Sequence, residues 1–387
     1  MKGSYMDFTL NEEQIAIRDT CREFAEQEIK PLAEEMDKTG SFPYALIRTM
    51  GDLGLLGLPF PEEYGGAGAD FLSYCLAIEE ISRGDVSVGI TMEAHTSLGA
   101  TPFHLFGNQQ QKERFLIPLA SGKHLWAFGL TEPEAGSDSG GTQTRAFLQD
   151  GHWHINGSKA FITNAGTAMT AGVTITAVTG TRSDGRKEIT NIIVPNDTPG
   201  YIIGQPYKKM GWKASDTRPL AFEDCMVPEQ NILGQRGDGF KQFMQILEAG
   251  RIAIAAVSVG LAQACLDEAL SYAKERKQFG KPLSKFQATQ FKLADMATEI
   301  ELARLMYYKA AWLLMQDKSY TREASMAKLF ASETAKRAAD QAIQIHGGYG
   351  FMDEYPVSRY WRNVKANEIG EGTSEVQRML IAKTLGC

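Results

Sequence analysis

Among 387 residues there is no Gly-x-Gly-x-x-Gly and no Gly-x4-Gly-Lys-Ser/Thr. The fingerprints of a nicotinamide Rossmann domain and of P-loop phosphate chemistry are therefore both missing. There is no basic excess: 40 Lys and Arg stand against 47 Asp and Glu, a net charge of −7, which leaves no footprint for nucleic acid. No run of 18 uncharged apolar residues occurs, so the sequence predicts no membrane span. Cysteine is sparse. Cys21, Cys75, Cys225, Cys265 and Cys387 are odd in number, far apart and never in a Cys-x-x-Cys pair, which indicates neither a disulfide framework nor a zinc site. With no basic-then-apolar leader in view, a reducing cytoplasm is the expected compartment. His152 and His154 would share one face of a strand and could begin a metal site, but no third ligand cluster accompanies them. A strand face beside Trp153 is the preferred reading. No internal repeat is visible. Met1–Tyr5, ahead of a second methionine, are set aside from fold reasoning.

What is present is ordinary in bulk and informative in order. Apolar residues make up 43% and charged residues 22%, a globular composition, and the length predicts two or three domains. Residues 1–125 read as helical. Asn11-Glu12-Glu13-Gln14 is a capping-box signal, and helices are expected near 71–84, 86–106 and 109–121. Residues 126–235 turn to strands: 152–156 after an Asp150-Gly151 hairpin signal, then 172–178 and 189–195, a small sandwich or barrel. Residues 236–387 return to long helices over 238–273, 284–316, 321–345 and 373–385. The first of these is rich in Ala, Gly and Ser and suits close helix packing. The predicted class is mostly α with a central β domain.

Three segments carry chemistry. Phe128 to Asp138 begins as a strand and ends in a Gly/Ser/Asp turn whose free N–H groups and hydroxyls could cradle a polar planar cofactor or a phosphate. Lys159 to Gly166 places an aromatic and a hydroxyl, Phe161 and Thr163, on one strand face. Glu371 lies between Gly370 and Gly372, where glycine allows close backbone approach. Ser374 and Gln377 read as a capping box that opens the last helix. A carboxylate on such a turn suits a catalytic base, although taken alone a solvated turn residue is the preferred reading.

Five ordered runs decide between these. Leu-Thr-Glu-Pro-x-Ala-Gly-Ser-Asp (130–138), Phe-Ile-Thr-Asn (161–164), Arg-Lys-Gln-Phe-Gly-Lys-Pro (276–282), Gln-Ile-His-Gly-Gly-Tyr-Gly (344–350) and Glu-Gly-Thr-Ser-Glu-Val-Gln-Arg (371–378) resemble the acyl-CoA dehydrogenases. The resemblance covers about residues 7 to 386. It implies an N-terminal helical domain, a middle β domain and a C-terminal four-helix bundle, usually assembled as a homotetramer. It also implies α,β-dehydrogenation of an acyl-CoA thioester to the trans-2-enoyl-CoA, in fatty-acid or branched-chain acyl breakdown. FAD would be the cofactor and an electron-transferring flavoprotein the electron acceptor.

Residue by residue, the resemblance implies Glu371 as the base that removes the α-proton. It places Phe128, Leu130, Thr131, Gly136, Ser137, Phe161, Ile162 and Thr163 around the flavin ring. Arg276, Phe279 and Gln287 would reach the pyrophosphate and adenosine half from a neighbouring subunit. Gln344, Ile345, His346, Gly347 and Gly348, with Thr373, Ser374 and Glu375, form further FAD stretches. Ser137, Glu248, Arg251 and Gly372 match substrate contacts, although Arg251 could equally be a surface ion pair. Some family members carry the base at the position of Gly250, and a glycine cannot serve. Gly370 stands where short- and medium-chain members often have tyrosine, which should widen the pocket near Cα–Cβ and admit a branched acyl group. Two other readings are a same-fold flavin oxidase using oxygen and a catalytically silent scaffold member.

Overall fold

The structure is a computed structural model and describes residues 9–387. Met1–Tyr5, set aside above, lie outside the described residues. Helix α1 (Glu12–Phe24) starts where the sequence predicts. The Asn11 side chain accepts from the Gln14 N–H at 2.8 Å, and the Gln14 side chain accepts from the Asn11 N–H at 3.0 Å. Helices α2 (Phe71–Gly84) and α3 (Val86–Glu93) are capped by Asp70 and Asp85. From α3 the chain continues without a break through a π-helical stretch, Ala94–Ala100, into Thr101–Phe106.

Strands β1 (Leu125–Gly129), β2 (Arg145–Gln149), β3 (His152–Thr163), β4 (Thr170–Thr181), β5 (Lys187–Pro195), β6 (Tyr201–Ile203) and β7 (Thr217–Pro228) form one seven-stranded sheet. Its path is β1-β4-β2-β3-β7-β6, with β5 paired to β4. The β2–β3 turn is the two-residue loop the sequence marks. Asp150 at φ 50° and Gly151 at φ 74° both take the left-handed conformation that a tight hairpin needs. His152 and His154 do lie on β3; His154 stacks on Phe147 and bonds Asp224. No cluster able to hold a metal occurs among the described residues.

Helices α4 (Gly239–Glu275), α5 (Gln287–Met315), α6 (Thr321–His346), α7 (Pro356–Val364) and α8 (Ser374–Thr384) complete the chain. Among the described residues, α4 alone would pass as a membrane span by length and composition, which the sequence reading did not anticipate. Its apolar stretch is mostly buried among its neighbours, so the hydrophobicity belongs to the core. Small residues let the helices close in. A Cβ on Gly260 would sit 2.1 Å from the Glu79 carbonyl oxygen of α2, a contact only glycine permits. The Glu371-Gly372 turn packs against α4, α6 and α8.

Candidate active site

The last helix begins one residue earlier than the capping pattern predicts. Thr373, not Ser374, is the N-cap, and its hydroxyl accepts from the Val376 N–H at 3.3 Å. Ser374 is the first helical residue and is buried. Gln377 does not close a capping box; its amide donates to the Gly372 carbonyl at 2.9 Å and the Glu371 carbonyl at 3.4 Å. The reason lies in the turn. Glu371 has φ 52° and Gly372 φ 96°, so the chain doubles back and presents its carbonyls to Gln377. The Glu371 N–H meets no acceptor among the described residues and is free to donate to a bound group.

The Glu371 carboxylate rests on α4 directly over Gly250. A Cβ there would come within 2.3 Å of Glu371 Oε2. The Glu371 carboxylate therefore fills the space that a side chain at position 250 would need. Since the obstructing atom ends a flexible side chain, Gly250→Ala should fold normally but displace the Glu371 carboxylate. A shift near 1 Å costs about 10²-fold in rate, so kcat should fall by roughly that much with little change in melting temperature.

A second carboxylate lies beside the first, and the sequence reading missed it. Glu93, at the end of α3, is fully buried; neither of its carboxyl oxygens, nor Oε2 of Glu371, has a hydrogen-bond partner. Two facing carboxylates hydrogen-bond only when one is protonated. Burial and then the Glu371 charge push Glu93 well above the usual carboxylate range. Glu371 is also raised by burial, but the Glu93 carboxyl, then Lys328 and Arg251, pull it back. Of the two, Glu93 holds its proton the more tightly and Glu371 is the more readily ionised. The available signal was a lone acid among uncharged residues, Val86-Ser-Val-Gly-Ile-Thr-Met-Glu93.

Arg251 is 3% exposed, forms no salt bridge among the described residues, and its Nε has no partner. That overturns the surface ion-pair reading. Glu248, one turn before Arg251 on α4, bonds the Thr321 hydroxyl at the start of α6. A side chain at Gly370 would begin 3.4 Å from the Ala366 carbonyl oxygen and 4.0 Å from Trp212 Cη2, so an indole lies near the position where the tyrosine ring is absent.

The middle domain supplies a polar shelf. The Ala160 N–H donates to the Thr131 carbonyl at 2.9 Å and ties the two predicted segments together. The Thr131 and Thr163 hydroxyls have no protein partner among the described residues, while Gly136 and Ser137 are exposed. Phe161 departs from a plain strand. At φ 60°, on a bulge, its ring is 63% exposed and packs against Tyr207 at 5.2 Å. Phe128 and Ile162 instead bury their side chains in apolar clusters, so Ile162 can offer a ligand only its backbone. Beneath the shelf, buried Lys159 bonds Glu132 at 2.7 Å and Thr176 at 3.1 Å, and Glu132 accepts from the Gln143 and Thr144 N–H groups. This fixes the loop that carries Gly136 and Ser137.

The remaining predicted residues gather elsewhere. Arg276, Ile345, His346, Gly347 and Gly348 line a groove of about 580 Å³ with Tyr272 and Tyr349. Arg276 lies over the Tyr349 ring at 5.3 Å, and His346 stacks on Tyr272 at 4.2 Å. Phe279, 93% exposed on a hairpin tip, and Gln287 and Gln344 are outside this lining. Along α6 the groove starts 17 residues beyond Lys328, about 26 Å at 1.5 Å per residue. One chain therefore does not bring all its predicted cofactor residues into one pocket.

A carboxylate on a left-handed turn, a second buried carboxyl beside it, an unengaged N–H and a polar shelf form an arrangement that can accept a proton from a bound group. Comparison with known proteins places the scaffold. The acyl-CoA dehydrogenase N-terminal, middle and C-terminal domain families match residues 11–123, 127–225 and 237–386. The chain belongs to the acyl-CoA dehydrogenase family and is an oxidoreductase of that class. It is 56% identical to the probable acyl-CoA dehydrogenase YngJ of Bacillus subtilis (strain 168), over 98% of this chain and 100% of that one. Butyryl-CoA dehydrogenase from Megasphaera elsdenii superposes with a TM-score of 0.95 at 44% identity, covering 99% and 100% of the two chains. A chain in the structure reported for the electron transferring flavoprotein of Acidaminococcus fermentans gives a TM-score of 0.95 at 46% identity, covering 98% and 99%. An acyl-CoA dehydrogenase complexed with FAD from Bacillus anthracis gives 0.91 at 35%, covering 98% and 68%.

Proposed function

We propose that the chain α,β-dehydrogenates acyl-CoA thioesters with short or branched acyl groups, with Glu371 removing the α-proton. The observation that carries this reading is the Glu371 carboxylate over Gly250 with Glu93 beside it. Glu371 takes the proton from Cα, and its own N–H donates to the thioester oxygen where charge develops, an interaction worth about 2.7–4 kcal/mol in comparable sites. Arg251 adds a buried positive charge near the base, and Glu93 stays neutral.

Bound FAD would supply the hydride acceptor. The free hydroxyls of Thr131 and Thr163, the exposed Phe161 ring and the Gly136-Ser137 turn suit its ring half. Arg276, in the groove at the end of α6, suits a phosphate-bearing half through its charged fork. The groove lining includes none of the shelf residues, which supports sharing of the cofactor between subunits in a homotetramer. The likeness to the chain in the Acidaminococcus fermentans structure supports an electron-transferring flavoprotein as acceptor.

Anaerobic addition of butyryl-CoA or isobutyryl-CoA should bleach the yellow protein, with slow recovery in air. Rapid peroxide formation would replace this reading with an oxidase. Trp212 bears on acyl choice. Trp212→Ala removes the ring beside Gly370 and should raise kcat/KM for branched over straight C4 substrates by about tenfold, measured by competition.

A further inference from the structure

Lysine is almost never fully buried without a charged partner, yet Lys328 on α6 is 0% exposed and makes no salt bridge among the described residues. Its one hydrogen bond is donated to the carbonyl of Gly372, the residue after Glu371, at 2.8 Å. The same carbonyl accepts from Gln377 on α8 at 2.9 Å. Two donors on one oxygen over-determine a turn whose middle residue, a glutamate at φ 52°, would otherwise relax out of the left-handed region at a gain of about 1–2 kcal/mol.

Resting on the reading of Glu371 as the base, we propose that Lys328 is the positioning residue of the catalytic turn. Its ammonium holds the Gly372 carbonyl, fixes the Glu371 backbone, and keeps a positive charge behind the carboxylate. The neighbours divide the work. The charged groups acting on Lys328 are Glu371, Arg251 of α4, Glu368 of the preceding turn and Glu375 of α8. Those acting on Glu371 are Glu93, Lys328 and Arg251. Burial lowers the Lys328 ammonium to about 8, so it is mostly charged at neutral pH. Gln377 shares the hydrogen-bonding role and carries no charge. The two residues therefore separate geometry from electrostatics.

The experiment follows flavin bleaching by butyryl-CoA in single turnovers across pH 5–9, on holoenzyme. Lys328→Met should slow bleaching about 10–100-fold and move the acid limb to higher pH, since an acid that loses a neighbouring cation ionises later. Gln377→Leu should slow the reaction without moving that limb. Should Lys328→Met fail to fold, Lys328→Gln keeps a donor, loses the charge, and must show the displaced limb. An unmoved limb in the folded Lys328 variant, whatever its melting temperature, overturns the proposal. Failure of the underlying reading shows in a different protein, because Glu371→Gln would then still turn over.

Discussion

Glu371→Gln will bind substrate and keep its yellow colour but lose bleaching by butyryl-CoA by at least about 10³-fold in rate. Glutamine keeps the volume over Gly250 and the left-handed turn, so the site should survive. What disappears is the acceptor for the α-proton. General-base removal ordinarily costs about 10²–10⁴-fold. Here the loss should fall in the upper part of that range, because burial and the Glu371 charge make the neighbouring Glu93 carboxyl hold its proton tightly, which makes it a poor substitute acceptor. Stopped-flow absorbance at the flavin band measures it, and melting temperature serves as the folding control. Turnover within tenfold of the parent would remove Glu371 from the mechanism.

Glu93→Gln will stabilise the protein at neutral and alkaline pH. In the folded chain, burial and the Glu371 charge raise the Glu93 carboxyl well above its ordinary value, whereas the unfolded chain titrates normally. A group with a raised folded pKa contributes stability below its unfolded pKa and loses it as pH rises toward the folded one. The parent should therefore lose about 1.4 kcal/mol for each pH unit above the ordinary carboxyl range while Glu93 keeps its proton. Glutamine has no proton to take up. The two unfolding free energies should differ by a constant at pH 4 and diverge steadily in favour of the variant by pH 8. Parallel curves in denaturant titrations at these pH values would mean that Glu93 ionises in the folded state.

The features legible in the sequence are those that depend on local chemistry. The Asn11 capping box, the Asp150-Gly151 hairpin and the span of α6 are set by caps, turns and periodicity within a few residues. Glu371 could be read because it sits in a run of recognisable order. Glu93 and Lys328 could not. Glu93 ends a helix of otherwise uncharged residues and Lys328 is one of several charged residues on its own helix, and the meaning of both comes from a turn more than 40 residues away that folds against them. The cap at Thr373 was missed by one residue because the doubled-back turn diverts Gln377 to the carbonyls before it. Trp212 belongs to the same class: its indole meets Gly370 only through tertiary packing.

The π-helical stretch after Glu93 sets a limit on length variation. A π turn is an α-helix with one residue too many, and each residue advances an α-helix by about 100°. Deleting one residue between Ala94 and Ala100 would restore regular winding but rotate everything downstream by that angle relative to Glu93. Gly99, whose added Cβ would lie 2.4 Å from the Trp126 carbonyl oxygen, could then no longer face β1 while Glu93 faces the base. Natural variants of this scaffold should therefore tolerate substitutions along this segment far more readily than single-residue gaps. The extra residue acts as a phase shifter: it lets one continuous rod serve two partners whose directions no regular helix could satisfy together.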